Sequence, residues 1–330
     1  MVPEVVGSNP IIHPKTLPAS FNGRVFFMKR ERVSIYIGVT FAMIFWALSF
    51  IFYKIAYRHL EPIALIFLRL IVAVIFLWLA IYLTRGFEKI RRADWGRFAL
   101  MAFFEPFLYF MGESYGMTMV SSTVGSVIIS TIPLFTPLAA YILYREKITF
   151  LKITGALVSF AGVILVVTGR GFELVAPPLG IALMFLAVLS VILYTGTIVD
   201  LAAKYHPMTI ILVQSILGAV YFLPVFIFTD LPETLQVPFT WETVYPVIFL
   251  GVFPSAISFI LFTRAIRDIG ITRSNIFINF IPVFAAIFSY FILREEISAG
   301  KIFGIALVLA GLFLTQIRFV KKSKPAGPAD

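Results

Sequence analysis

The residues of this sequence that could perform chemistry are few, and they stand inside long apolar runs. The 330 residues include no cysteine, which excludes disulfides, thiolate metal sites and thiol nucleophiles. The three histidines, His13, His59 and His206, share no ligand spacing, so a histidine metal site or a Ser-His-Asp triad has little support. We therefore expect no catalytic residue, no metal and no cofactor.

Glu105 is the first candidate for a functional side chain, because it lies near the middle of the apolar run 97–116. If that run crosses a bilayer, an ionised carboxylate at its centre is costly, and such residues usually serve a function. Tyr109, Gly112 and Gly116 lie on the same helical face. Glu105 is therefore the candidate for proton coupling, that is, for a group that binds and releases a proton. The alternative is a carboxyl group that stays protonated and hydrogen bonds a neighbouring helix.

Two basic residues also lie within apolar runs. Arg69 follows Pro62 by seven residues, which is about 10 Å along a helix that rises 1.5 Å per residue. Arg69 could contact a substrate carboxylate or act as a gate, and the structural alternative is an ion pair with Glu113. Lys54 ends the first run, and we expect its ammonium group to reach the membrane surface.

Two polar stripes share the spacing i, i+4 and i+7, which places each stripe on one helical face. They are Ser126, Ser130 and Pro133, and Asn275, Asn279 and Pro282. Such residues can simply hydrogen bond adjacent helices, but a proline beside them frees backbone carbonyl groups that can line a cavity. We expect them to line a substrate pathway, whose wall is completed by Trp46, Tyr53, Tyr109, Tyr194 and Gln214.

The composition explains why these residues are so isolated. The chain is 60% hydrophobic and only 13% charged, with a mean hydropathy of +0.97, whereas soluble domains carry about a quarter charged residues. A helix needs roughly 20 apolar residues to span a bilayer, and ten runs approach that length. They are 33–56, 62–83, 97–116, 123–144, 151–168, 179–199, 208–228, 244–263, 274–293 and 300–317. The sequence predicts an all-α polytopic membrane protein with ten transmembrane helices.

The distribution of basic residues predicts the orientation. Of the 27 lysines and arginines, 21 fall on one set of loops and termini, five on the opposite set, and Arg69 within a run. Basic residues favour the cytoplasmic side, so we expect cytoplasmic tails at 1–32 and 318–330 and a location in the cell inner membrane. The formal charge of +10 then reflects topology and contact with the lipid bilayer, and we expect no nucleic-acid partner.

The chain also matches itself at an offset of 149 residues, the distance from Pro133 to Pro282. The same register pairs glycines, lysines and an Arg-Glu dipeptide, which chance rarely produces. We divide the chain into repeats at 33–168 and 179–317. Each has five runs, an odd number, so the second enters the membrane from the opposite side. Inverted repeats usually place a substrate site at their interface.

Glycines repeat with the same register and form small-residue faces suited to close helix packing. They are Gly155 and Gly162 in the first repeat and Gly300, Gly304 and Gly311 in the second. The sequence leaves open whether these faces meet inside one chain or between two, and hence whether the protein is a monomer or a homodimer.

Three motifs together resemble the drug/metabolite transporter (DMT) superfamily, in particular its ten-helix EamA-like family. The first run reads Trp46-Ala-Leu-Ser-Phe-Ile-Phe-Tyr-Lys54, similar to Trp-Gly-x-x-Phe-x-x-x-Lys. The second contains Pro62 and then Arg69 in a Leu-Arg-Leu context. Arg-Glu-Lys-Ile and Arg-Glu-Glu-Ile, each followed by Lys-x-x-Gly, close the two repeats. The sequence departs from this pattern at Ala47, which replaces a glycine, and at Glu105, which the pattern lacks.

The resemblance implies a secondary transporter that exports or exchanges amino acids, related metabolites or drug-like compounds by alternating access. Its partners would be a small-molecule substrate and the lipid bilayer. A channel or a lipid-handling membrane protein is the alternative, followed by a membrane-embedded enzyme. Clustered His, Asp or Cys residues, which an enzyme of this kind would need, are missing from the sequence, so we expect no enzyme activity.

Overall fold

The computed structural model describes residues 19–84, 88–135, 150–168 and 174–316. Within these ranges all regular elements are helical, and the only extended pairing is an isolated bridge between Thr168 and Leu174. Residues 1–18, the C-terminal tail at 318–330 and the Arg-Glu motif at 145–146 lie outside the described residues.

Thirteen helices in the described ranges are labelled in chain order. They are α1 (Ala19–Ala56), α2 (Pro62–Thr84), α3 (Trp95–Ala102), α4 (Tyr109–Met119), α5 (Ser122–Ile129), α6 (Phe150–Val167), α7 (Pro178–Ala202), α8 (Pro207–Thr229), α9 (Trp241–Val252), α10 (Ser258–Ile269), α11 (Ile271–Ile278), α12 (Ile281–Phe288) and α13 (Ala299–Gln316). Three π-helical segments join or extend them: Phe103–Leu108, Phe253–Ile257 and Ser289–Leu293.

Seven helical segments in the described ranges are long and apolar enough to cross a membrane, and Ser122–Phe135 and Ala299–Thr315 are shorter apolar helices. The chain is therefore a multi-pass membrane protein, and ten spans stay a prediction. The run 97–116 is not among the seven, since it carries charged residues and is interrupted within the π-helical segment Phe103–Leu108.

The structure agrees with the first predicted run, since the part of α1 that is long and apolar enough to cross a membrane is Val33–Ala56. Helix α1 itself begins at Ala19, so residues 19–32, which we assigned to a tail, are helical. The run predicted at 274–293 is confirmed as the apolar segment Arg273–Leu293. A turn at residues 279–280 interrupts its α-helix, and a turn at residues 130–131 interrupts the segment Ser122–Phe135. Each turn comes shortly before a proline, Pro282 or Pro133, which cannot donate a backbone hydrogen bond.

Helices α6 and α13 pack closely through the predicted glycines. A Cβ atom on Gly155 would lie 2.6 Å from the carbonyl oxygen of Gly311, and one on Gly162 would lie 2.6 Å from that of Gly304. Since only a hydrogen fits at these contacts, the small-residue faces meet inside one chain.

Hydrogen bonds join the loop before α3 to the turn between α7 and α8. Asp94 accepts from Tyr205 Oη at 2.7 Å and from Lys204 Nζ at 3.1 Å, and Glu88 accepts from the backbone N–H of His206 at 2.6 Å. The hydrogen bond from Tyr205, followed by that from Lys204, lowers the pKa of Asp94 below its ordinary value. This end of the molecule is thus braced across the two halves of the chain.

Candidate functional site

A central cavity lies between helices of the first half of the chain and helices of the second half. It contains about 660 Å³ of space that no protein atom fills, including its opening. The lining residues are Trp46, Ser49, Phe50, Arg69, Glu105, Tyr109, Phe110, Glu113, Ile129, Ile132, Val191, Tyr194, Phe259, Phe262, Ile278 and Ile281. The structure thus brings five sequence-predicted residues to one cavity: Trp46, Arg69, Glu105, Tyr109 and Tyr194.

Glu105 reaches this cavity where the helical backbone opens between α3 and α4. Its backbone is extended, with φ −138° and ψ 111°, and Pro106 cannot donate a hydrogen bond to the preceding turn. The second half of the chain satisfies the freed carbonyl groups: Ser190 Oγ donates to Phe104 O, and Gln214 Nε2 donates to Glu105 O at 3.0 Å. Such partners allow an interrupted helix inside a membrane. Gln214 therefore supports the backbone behind the cavity.

The Glu105 carboxyl group is buried and unpaired. The residue is only 2% exposed, and neither carboxyl oxygen has a hydrogen-bond partner among the described residues. None of the ion pairs between described residues includes it. Among the described residues, its side chain therefore forms no hydrogen bond to a neighbouring helix, which was the structural alternative for this residue. Most buried polar groups have a partner, so an unpaired carboxyl group on a cavity wall needs an explanation.

Arg69 and Glu113 are connected through a tyrosine, which corrects the direct ion pair considered above. Arg69 Nη1 donates to Tyr53 Oη at 2.6 Å, and Tyr53 Oη donates to Glu113 Oε2 at 2.8 Å. Tyr109 Oη donates to the other Glu113 oxygen at 2.7 Å. Because the Tyr53 hydroxyl accepts from Arg69, its single proton is directed to Glu113. A buried relay thus runs from Arg69 to Tyr109.

Two contacts fix the guanidinium group of Arg69 against the wall. Its Nε donates to Ser255 Oγ at 2.8 Å, across the interface between the halves. Its Cζ lies 4.4 Å from the centre of the Phe110 ring, a cation–π distance. The sequence analysis did not identify Ser255 or Phe110, because a lone serine and one of 36 phenylalanines carry no distinguishing pattern.

The polar stripes lie beside the cavity but outside its lining. Ser126 and Ser130 are fully buried, and their hydroxyl groups donate to the carbonyl oxygens of Thr123 and Val127 in their own helix. Asn275 and Asn279 are also buried, 4% and 1% exposed. The neighbouring isoleucines line the cavity instead: Ile129, Ile132, Ile278 and Ile281.

Asn279 differs from the other stripe residues because neither atom of its side-chain amide has a partner among the described residues. It lies at the break between α11 and α12. Trp46 in α1 donates to Pro254 O at 3.1 Å and satisfies a carbonyl group in the π-helical segment Phe253–Ile257.

Glu295 joins the two halves at one end of the membrane-spanning segments, just after Arg273–Leu293 and at the start of α5. Its carboxylate accepts from the backbone N–H groups of Ser122 and Thr123, at 2.9 and 3.4 Å, and from Thr123 Oγ1 at 3.0 Å. A residue of the second half thus caps the first turn of α5 in the first half. Lys54, which is partly exposed, donates to Met117 O at 2.6 Å, so its ammonium group has a protein partner, and its contact with the membrane surface stays a prediction.

Comparison with known proteins identifies the family. The EamA-like transporter family matches residues 33–168 and 178–317. An uncharacterized transporter of Archaeoglobus fulgidus is 27% identical over 280 residues, which cover 84% of this chain and 97% of the relative. The uncharacterized transporter YetK of Bacillus subtilis is 26% identical over 304 residues, covering 91% of each chain.

A more distant relative carries a functional name. The probable terminal-alkyne amino-acid exporter of Streptantibioticus cattleyicolor is 25% identical over 219 residues, which cover 64% of this chain and 70% of the relative. A crystal structure at 16% identity superposes with a TM-score of 0.64 over 86% of this chain and 98% of that one, which shows a shared fold. The chain therefore belongs to the EamA-like transporter family within the DMT superfamily, as its motifs predicted, and is a multi-pass membrane transporter.

Proposed function

We propose that this protein is a secondary transporter that exports small metabolites, amino acids or related compounds, across the cell inner membrane by alternating access. One observation carries the proposal: the central cavity is lined by residues from both halves and contains an unpaired, buried carboxyl group. A cavity between two halves can open to either side when one half tilts against the other. Glu105 is then the group through which transport is coupled to protons.

The proposed architecture is ten transmembrane helices in two inverted five-helix repeats, 33–168 and 179–317. The family matches the chain twice, over nearly the same ranges. The positions of the interruptions also support a duplication. Adding the 149-residue offset to Ser130 gives Asn279, and both residues lie at helix breaks. The same offset moves the π-helical segment Phe103–Leu108 onto Phe253–Ile257, within one residue.

The substrate class and the orientation of the protein in the membrane are supported by different observations. The name of the Streptantibioticus relative favours an amino acid or a related compound as the exported substrate. The excess of basic residues on one set of loops supports cytoplasmic termini. The residues that we assign to the pathway are the cavity-lining Trp46, Arg69, Glu105, Tyr109 and Tyr194. The other predicted residues, Tyr53, Ser126, Ser130, Gln214, Asn275 and Asn279, are outside the lining, and we assign them to its support.

Counterflow in proteoliposomes tests the proposal. Vesicles loaded with an unlabelled amino acid or amine should take up the labelled compound in a saturable manner, and empty vesicles should not. A channel would equilibrate the label without saturation or preloading, and a lipid-handling protein would move labelled phospholipid instead. Either result would refute secondary transport.

A matched pair of variants on α7 ties the activity to the cavity. Val191 lines the cavity, whereas Leu193, two residues away, is 43% exposed on the outer surface. We expect Val191→Trp to abolish counterflow by filling the cavity, and Leu193→Trp to transport at the wild-type rate. Melting temperatures of both variants in detergent establish that each is folded. A folded Val191→Trp protein with normal counterflow would place the pathway elsewhere.

A further inference from the structure

The charges on the cavity wall are not balanced. Arg69 and Glu113 are linked through Tyr53, so their opposite charges compensate each other inside one hydrogen-bonded relay. Glu105 is outside this relay and has no partner among the described residues. With its carboxyl group ionised the cavity carries one uncompensated negative charge, and with it protonated the cavity is neutral.

An ionised carboxylate buried without a partner is strongly unfavourable in a membrane protein. Glu105 must therefore bind either a proton or another cation. Aromatic rings surround the cavity, among them Trp46, Tyr194, Phe259 and Phe262. Aromatic faces attract organic cations and apolar bodies alike, so this wall suits a molecule with a cationic head and an apolar remainder.

We propose that the site selects amines with a net charge of +1 and an apolar body, and that the substrate ammonium group and a proton occupy Glu105 in turn. The inference rests on the proposed transport function and names its substrate class. Binding of the ammonium ion to protonated Glu105 releases the carboxyl proton to solvent, and the product is a carboxylate–ammonium pair. One amine is thereby exchanged for one proton.

The environment of Arg69 explains why a substrate carboxylate is not required. Its Nε and Nη1 already donate to Ser255 and Tyr53, and its face packs on Phe110. A substrate carboxylate would have to compete with these contacts. An amino acid offers Glu105 the same ammonium group as an amine, but its carboxylate adds a negative charge to the cavity and gains little from Arg69, so we expect it to bind less tightly than the amine.

The groups around Glu105 come from several helices. Arg69 in α2 and Glu113 in α4 act on it through their charges, and Tyr109 in α4 and Tyr194 in α7 share the cavity wall. Gln214 in α8 contacts its backbone oxygen. Among the described residues that face Glu105, the two charged side chains are the compensated pair, so amine binding should follow the protonation of Glu105 itself.

Binding of three probes to the purified protein in detergent tests the proposal. Phenylethylamine, phenylalanine and 3-phenylpropionate share an aromatic body and differ in net charge from +1 to 0 to −1. Calorimetry at pH 7 should rank the amine at least about tenfold tighter than phenylalanine, with no binding of the acid. Tighter binding of phenylalanine or of the acid would overturn the proposal, and so would an absence of amine binding.

The variant Glu105→Gln removes the charge and keeps the shape. Because the carboxyl oxygens have no hydrogen-bond partner in the described part of the chain, the melting temperature should stay close to the wild-type value, whereas amine affinity should fall at least about tenfold. The control Glu242→Gln changes an exposed glutamate and should bind normally. In weak buffer with a pH dye, wild-type protein should release about one proton per amine bound, and Glu105→Gln none.

These measurements separate the two proposals. Amine binding that depends on Glu105, without counterflow in liposomes, would leave this inference standing and refute the transport function. Counterflow of amino acids that is unaffected in Glu105→Gln would preserve the transport function and refute the amine site.

Discussion

The contact between Glu295 and the start of α5 makes a prediction about the conformational equilibrium. Three donors of the first half, two backbone N–H groups and the Thr123 hydroxyl, converge on this one carboxylate of the second half. If the two halves tilt as proposed, this contact must break when that end opens. The variant Glu295→Gln should therefore open that end more often.

The size of the effect follows from the geometry. A glutamine keeps one acceptor oxygen but turns an NH₂ group toward donors, and it loses the favourable charge at a helix N-terminus. Loss of such a cap costs about 1–2 kcal/mol, which converts to roughly a 5- to 30-fold larger population of the open state.

The chain contains no cysteine, so one introduced thiol reports on this population. Ser49 lines the cavity and is 5% exposed, and Ser49→Cys is a small change. A membrane-impermeant maleimide should label this cysteine about 5 to 30 times faster in the Glu295→Gln background, from the side of the membrane on which Glu295 lies. Right-side-out and inverted vesicles identify that side.

The adjacent Glu296 supplies the control, because its side chain is exposed and its backbone carbonyl oxygen, not its carboxylate, accepts the hydrogen bond from Lys301. Glu296→Gln should label at the wild-type rate. Equal labelling rates for Glu295→Gln and the wild-type background would show that the carboxylate does not hold this end closed. An equal increase in the labelling rates of both variants would indicate a general effect of removing a negative charge.

Three further predictions concern packing, pH and topology. Gly162→Ala should lower stability by about 1–3 kcal/mol, because its Cβ would meet backbone atoms of α13 at 2.6 Å, whereas Gly196→Ala has open space and should melt like the wild type. The variant Asp94→Asn should have a lower melting temperature than the wild type at pH 7. This difference in melting temperature should shrink as the pH falls below 3.8, the ordinary pKa of an aspartate, toward the lowered pKa of Asp94, since protonation removes the same charge. An equal difference at all pH values would contradict this. Glu233→Cys should react with impermeant maleimide only from outside the cell, and labelling only from the cytoplasm would refute the orientation.

Much of the helical framework could be predicted because chain length and apolarity control it. The run predicted at 62–83 is the helix Pro62–Thr84, and that predicted at 208–228 is Pro207–Thr229. Prolines begin both helices, where a missing N–H is tolerated, and polar loops end the apolar runs. These are local signals, and a membrane makes them strong.

The interruptions could not be predicted, since they depend on partners distant in sequence. A proline in a membrane helix can produce a simple kink, so Pro106 and Pro133 alone do not predict an interruption. The backbone opens at Glu105 because Ser190 and Gln214 supply hydrogen bonds from the second half. No spacing in the sequence reveals these pairings.

The same limit applies to the arrangement of the site. Arg69 and Glu113 were expected near each other by depth alone, and depth does not fix which way each helix is rotated. Tyr53 therefore occupies the space between them. The polar stripes share a face in an unbroken helix, but the breaks at Ser130 and Asn279 separate each stripe from its proline.

The position of the bonds between the halves suggests which contacts persist during transport. Trp46 with Pro254, Arg69 with Ser255 and Gln214 with Glu105 all lie at the interrupted helices around the cavity. Glu295 lies at one end. In a tilting motion the displacement grows with distance from the pivot, so the central bonds can persist while the end contact breaks. If the halves tilt about these central bonds, as we propose, the carbonyl groups of Glu105 and Pro254 keep their partners across the interface, and the carboxyl group of Glu105 stays in the cavity in both orientations.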